Sequence, residues 1–251
     1  MRVIELPYHL DERLPDLDVP LPPDEVVTAE PPAGDVWERL GALYSLAAQA
    51  VADAAGGGAR PVVVVSGDCT TALGTVAGLQ RAGIDPGIVW FDAHGDVQTL
   101  ETTTSGYLAG MALRLLTGYR PELIAARLGL RPVPEQRAVL VGARDLDPPE
   151  VTYLAAAPIG RAEVTGLGAA DLPDGPLYVH VDLDVVDPAV VPGLRYPAHG
   201  GPGPAQVAEA LRLLLGTGRV AAVGLACSWQ PGHGAAAAVG PHLRAALAGA
   251  G

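Results

Sequence analysis

Lysine and asparagine are absent from this chain of 251 residues, so all 16 of its basic side chains are arginines. Both missing residues use A-rich codons, which points to a GC-rich gene rather than to a demand of the fold. Basic charge is scarce: 28 acidic residues stand against those 16, for a net charge of −12. That balance lacks the basic face that nucleic-acid binding needs, while it is compatible with a cationic substrate. The two cysteines, Cys69 and Cys227, lie far apart and imply no disulfide framework. No apolar run reaches the ~18 residues of a membrane span. The N-terminal MRVIELPYHLDER lacks a secretory apolar core with a small-residue cleavage site, so a cytoplasmic location is expected. There is no GxGxxG after the first strand-like run and no GxxxxGK[ST], which removes the main support for nucleotide binding.

Apolar residues, by contrast, are plentiful: 49% of the chain, with a mean hydropathy of +0.27. That excludes a disordered chain, and the length suits one large α/β domain over residues 1–251. Residues 1–6 read as a strand and 11–34, rich in Pro and Asp, as a surface loop. Residues 35–55 carry helical periodicity, with Asp35 as N-cap and Gly56 to Gly58 at the end. PVVVV (61–65) reads as a buried strand, 71–82 as a helix and 87–92 as a strand. Helical patterns return at 107–117 and 121–129. AVLVGAR (138–144) is a strand, and PPEVTYLAAA opens a helix with Pro. Strands are expected at 158–163, 177–184 and 220–227, and helices at 203–215 and 235–248. The strands are continuous apolar runs alternating with helices. That pattern predicts a three-layer α/β fold with a mostly parallel sheet covered on both faces.

Two acidic runs interrupt this pattern at strand ends. DAHGD (Asp92 to Asp96) follows GIVWF, and DLDVVDP (Asp182 to Pro188) follows LYVHV. In extended chain, residues i and i+2 point the same way. Asp92, His94 and Asp96 are thus expected to converge on one point, and Asp182 and Asp184 on another. A lone DxD is often a capping loop. Two such runs at the carboxyl edge of a parallel sheet, where ligands bind, predict a site for one or two divalent metal ions.

The order of the motifs resembles the ureohydrolase superfamily of arginases, agmatinases and formiminoglutamases. SGDCTTALG looks like that family's GGDHS segment and VWFDAHGD like its DAHxD segment. LETTTSGYLAG looks like its substrate loop, VGARDLDP like RDxDP, and HVDLDVVDP like DxDxxDP. The resemblance runs from about residue 62 to 231. It implies an arginase-type fold, homo-oligomers (trimers or hexamers), and two Mn²⁺ ions that activate a water against a guanidino carbon. It gives metal-ligand roles to Asp92, His94, Asp96, Asp182 and Asp184, with the water held at Asp92 and Asp182. It makes Ser105 a contact for a substrate carboxylate and Asp147 one for a substrate amino group, or a cap on the helix starting at Pro148. Gln98 is a further substrate-contact candidate.

The chain departs from the family pattern in three places. Cys69 stands where a His ligand belongs, either as a thiolate ligand or as a neutral buried thiol. Ala109 replaces the loop His that shuttles protons. Ser228 or a neighbour, in GLACSWQPG, replaces the Glu that grips the guanidinium. The first two departures resemble the branch of Nω-hydroxy-L-arginine amidinohydrolases of D-cycloserine biosynthesis. The expected activity is therefore hydrolysis of a C–N bond in a small guanidino or hydroxyguanidino compound, with an antibiotic-biosynthetic setting. The alternative is a catalytically impaired relative serving as a binding or partner subunit. His180, two residues before Asp182, is read as a group behind the ligands, a substitute ligand, or a satisfied core His.

Overall fold

Eight parallel strands form one sheet in the computed structural model, which describes residues 1–249. The chain opens with β1 (Arg2–Leu6) and a small antiparallel pair, β2 (Tyr8–His9) and β3 (Glu12–Arg13). It continues with β4 (Glu25–Val26), α1 (Val36–Gly56), β5 (Val62–Ser66), α2 (Ala72–Arg81) and β6 (Gly87–Phe91). Then come α3 (Ala112–Leu116), α4 (Ala125–Leu128), β7 (Ala138–Val141), α5 (Pro148–Ala156) and β8 (Gly160–Ala162). The last elements are β9 (Leu177–Asp182), α6 (Pro204–Gly216), β10 (Val220–Ala226) and α7 (Ala235–Ala248). The strand order is β4-β1-β5-β10-β9-β6-β7-β8.

Alternate residues of each strand enter opposite cores. Val62, Val64, Ile88, Trp90 and Tyr178 pack with α1 to α5. Val63, Val65, Val89, Phe91, Val179 and Val181 pack with α6 and α7. Both faces are buried, which is why the strands read as unbroken apolar runs. The layers close tightly at α1 and α2, where a Cβ on Gly78 would lie 2.6 Å from the Ala48 carbonyl oxygen. No helix among the described residues is long and apolar enough to cross a membrane.

The Pro- and Asp-rich stretch expected as loop holds β3 and β4. Two residues carry no readable period, yet β4 extends the sheet, pairing Val26 with Glu5. Beside it the Val3 amide donates to Asp24 Oδ2 at 2.8 Å. The helical patterns at 107–117 and 121–129 yield only α3 and α4, preceded by a 3₁₀ turn at Ala109–Met111. Gly129, at φ +64°, ends α4 in the left-handed conformation that suits glycine. The strand expected over 138–144 stops at Val141, where Gly142 (φ +86°) turns the chain.

Candidate metal centre

The strand order sets β5, β10, β9 and β6 side by side. Their carboxyl ends therefore bring Cys69, Ser228, Asp182 and Asp92 to the middle of one sheet edge. Cys69 lies in a 3₁₀ turn after β5, entered through Asp68, whose Oδ1 accepts the Thr70 amide at 2.8 Å.

β6 ends at Phe91, and the chain does not stay extended beyond it. Asp92 Oδ1 accepts the His94 amide at 2.7 Å, which curls the loop back on itself. Asp92 Oδ2 accepts from Trp90 Nε1 at 3.0 Å, from two residues back on the same strand face. His94 Nδ1 is then 3.3 Å from Asp92 Oδ1 and 3.1 Å from Asp184 Oδ2. Asp96 has φ +53°, a left-handed position that Asp tolerates better than most residues. Its carboxyl group is turned inward, and Asp96 Oδ2 is buried without a partner. The second run likewise leaves the strand. Asp182 ends β9 and accepts the Asp184 amide on Oδ1 at 2.9 Å, making a 3₁₀ turn over Leu183–Val185. Tight turns, not extended alternation, thus bring the two runs together, because each leading Asp takes the amide two residues on.

Two groups of potential ligand atoms, each within 4.8 Å, occur among the described residues: Cys69 with Asp92 and Asp96, and Asp92 with His94 and Asp184. Asp92 belongs to both. Asp182, expected as a second shared ligand, falls in neither group. Its Oδ2 accepts from Cys69 Sγ at 2.9 Å and from Ser228 Oγ at 2.8 Å.

The electrostatics of this centre are unbalanced. Burial, then the charges of Asp92 and Asp182, holds Asp96 well above the carboxylate range. Burial with Asp184 and Asp92 does the same to Asp182, and burial with Asp92 pushes Asp184 to about 6. Burial alone would lower His94, but its bonds to Asp184 and Asp92 carry it up to about 12. Burial and then Asp182, Asp96 and Asp92 raise the Cys69 thiol. A divalent cation would relieve this crowding. An oxygen-rich donor set with one imidazole and an orphaned Asp96 oxygen fits such an ion, and Cys69 is the one soft donor in it.

His180 belongs to neither group. It is 2% exposed, lies stacked on Trp90 with ring centroids 3.7 Å apart, and contacts Tyr178 Oη through Nδ1 at 3.0 Å. Burial lowers it to about 3, so it is neutral, and it backs the tryptophan that holds Asp92.

A cavity of about 230 Å³ opens over the centre, and Gln98, Ser105, Ala109, Asp147 and Ser228 all line it. Gln98 Nε2 donates to Asp147 Oδ2 at 2.8 Å and Thr102 Oγ1 donates to Gln98 Oε1 at 2.7 Å. Asp147 is the N-cap residue of α5, so it stands at a helix start and in the cavity wall together.

Sequence reasoning passed over several residues that the structure brings here. Glu150, 5% exposed, accepts the Val97 amide at 3.2 Å and the Asp147 amide at 3.1 Å, tying the two loops. Its signal was the Asp-x-x-Glu spacing of a capping box. Arg144 donates to the carbonyls of Asp184, Val185, Ala198 and His199 at 3.3, 3.0, 3.1 and 3.2 Å. Tyr107 and Tyr196 line the cavity with rings 4.7 Å apart, and His9 stacks on Tyr107 at 5.6 Å. Tyr107 sits in the expected substrate loop and was legible there. His9, from β2, carried no signal.

A sequence profile described as Arginase family matches residues 14–227. The arginase of Bacillus subtilis (strain 168) is 31% identical over 153 residues, covering 55% of this chain and 51% of that protein. The N(omega)-hydroxy-L-arginine amidinohydrolase of Streptomyces lavendulae is 34% identical over 149 residues, covering 58% of this chain and 52% of that protein. The chain spans about half the length of the curated relatives it matches. The crystal structure of arginase from Bacillus cereus superposes with a TM-score of 0.81 at 24% identity, covering 99% of this chain and 96% of that one.

Proposed function

The chain belongs to the arginase family, and on that premise we propose that it is a metal-dependent hydrolase of a C–N bond in a small guanidino-type compound. Nω-hydroxy-L-arginine, cleaved to ornithine and hydroxyurea, is the favoured substrate. The observation that carries this reading is the set of buried Cys69, Asp92, Asp96 and Asp184 with half-buried His94, at an open cavity. Asp92, His94 and Asp184 would hold one ion, and Cys69, Asp92 and Asp96 the other, with Asp182 beside them. Oxygen donors with one imidazole suit Mn²⁺. When bound, two such ions supply Lewis acidity and a nucleophilic water at neutral pH.

The protein's own residues do the rest. Trp90, the His94 amide and the Asp184 amide fix the carboxylates of Asp92 and Asp182 before any ion arrives. Ser105 and Asp147, both in the cavity lining, would take the carboxylate and amino group of an amino-acid substrate. The preference for a hydroxyguanidine rests on what the cavity lacks. Ala109 provides no proton donor, and the Ser228 hydroxyl is already spent on Asp182. A hydroxyguanidine is less basic than a guanidine, so its neutral form, the one a nucleophile attacks, is reached more readily, while the same ornithine amine leaves from either substrate.

The two hydrogen bonds that Asp182 Oδ2 accepts also favour a second reading, a catalytically impaired binding subunit, since Cys69 and Ser228 together satisfy that oxygen without a cation. A panel of guanidino compounds, assayed for urea or hydroxyurea release with and without added Mn²⁺, separates the two. Mn²⁺-dependent release from Nω-hydroxy-L-arginine is expected. No release from any member, with no Mn²⁺ retained after dialysis, would leave the binding subunit standing.

A further inference from the structure

Three rings meet at the wall of the cavity. Tyr107 contacts His9, stacked nearly parallel at 16° and 5.6 Å, and Tyr196, tilted at 4.7 Å. His9 Nδ1 is 3.0 Å from the Gly67 carbonyl oxygen, and Nε2 is 3.3 Å from the Tyr107 hydroxyl. A carbonyl oxygen only accepts, so Nδ1 carries the ring proton. In the neutral imidazole, Nε2 is then a bare acceptor, and the single proton of the Tyr107 hydroxyl points to it. The phenolic oxygen keeps its lone pairs for something else. Burial, and then the charges of Asp68, Cys69, Tyr196 and Asp182, hold the phenol far above its ordinary range, so it stays neutral. Three of those neighbours, Cys69, Tyr196 and Asp182, line the cavity with Tyr107.

We propose that Tyr107, oriented by His9, offers the substrate's reacting head group a neutral hydrogen-bond acceptor, and that this makes the pair a determinant of specificity for an uncharged head group. The inference rests on the guanidino-type reading of the site. A carboxylate in such a place rewards positive charge, because bonds to an ionised acceptor are about twice as strong. A phenolic oxygen accepts an N–H without that premium. Contacts with both neighbouring rings keep the acceptor fixed, and His9 determines which way its one proton faces.

The test combines calorimetry with NMR of the full chain. Tyr107→Phe keeps the ring and removes the acceptor. It is expected to weaken Nω-hydroxy-L-arginine by about five- to tenfold, the worth of one hydrogen bond. L-Ornithine, which lacks the head group, should bind the variant as it binds the unaltered protein. Equal loss for both ligands would overturn the proposal, because it would mean that Tyr107 only shapes the cavity. Nitrogen-15 shifts of the His9 ring give a second, ligand-free measurement. The Nδ1–H form is expected, with Nε2 shifting in Tyr107→Phe as its donor is lost. An Nε2–H form would reverse the hydroxyl and overturn the proposal. If neither ligand binds the unaltered protein, the reading of the previous subsection fails, while the ring shifts still decide the direction of the hydroxyl.

Discussion

Asp92 belongs to both halves of the acidic centre, and the two halves are built differently around it. On one side His94 lies between Asp92 and Asp184, with its side chain 26% exposed toward the cavity. A cation arriving between those carboxylates would displace the proton they hold on His94 and leave a neutral imidazole as ligand. On the other side Cys69 and Asp96 are buried, at 3% and 5% exposure. There the Cys69 proton is committed to Asp182, and a thiolate is a soft partner for a hard ion. The lesson is that one shared carboxylate can serve two positions of unequal strength. The imidazole half should fill first and hold longer.

The largest effect should come from removing the shared group. Asp92→Ala is expected to empty both halves and lower turnover more than ~100-fold, beyond what loss of an outer-shell partner costs. Elemental analysis and hydroxyurea release would show it. Normal turnover in this variant would break the comparison at its root. Asp182→Ala should cause a similar loss; if only one ion disappears, Asp182 serves the thiol half alone.

Substrate choice comes next. Nω-hydroxy-L-arginine should exceed L-arginine in kcat/KM by about 10²-fold, the lower end of an acid–base effect, because its head group gives up a proton more readily where no proton shuttle stands. Faster arginine hydrolysis at neutral pH would reverse that order. Trp90→Phe should then weaken metal binding about tenfold by freeing Asp92 Oδ2. Competition with a fluorescent chelator would measure the change, and an unaltered affinity would mean that the indole is mere packing. Cys69→His sharpens the contrast most directly. It is expected to raise Mn²⁺ occupancy toward two ions per chain, read by calorimetry beside the unaltered protein. Full and equal occupancy in both would show that Cys69 already ligates well.

The smallest effect on the site should come from Gly78→Ala. The added Cβ meets the Ala48 carbonyl and Val51, so ~1–3 kcal/mol of stability should be lost with metal content unchanged. A melting curve checks the first part. Loss of metal as well would tie the α1–α2 contact to the centre.

Much of this architecture was legible because burial on both faces leaves a plain trace. VVVV at 62–65 and LYVHV at 177–181 read as parallel strands, and they are. β4 was not legible, since a two-residue strand is defined by its neighbour β1 and not by its own pattern. The five Asp and His candidates do lie together at the sheet edge. The reason given for their convergence was mistaken, because capping by Asp92 and Asp182 bends both loops away from extended geometry. His9 was invisible because its contact with Tyr107 joins residues 98 apart in sequence, and no local period encodes that.

Arg144 carries a further consequence. Its guanidinium bonds two carbonyls just after β9 and two in the 198–199 segment. The clasp joins one side chain to four carbonyl oxygens, and no carboxylate takes part in it. The two segments should therefore open as one cooperative unit, not as independent loops. In hydrogen exchange, the amides of Val186 and Asp187, held by Leu183 and Pro202, should lose protection together. In Arg144→Ala their exchange rates should part, with the outer segment opening first while the acidic loop, still pinned through Asp182, follows later.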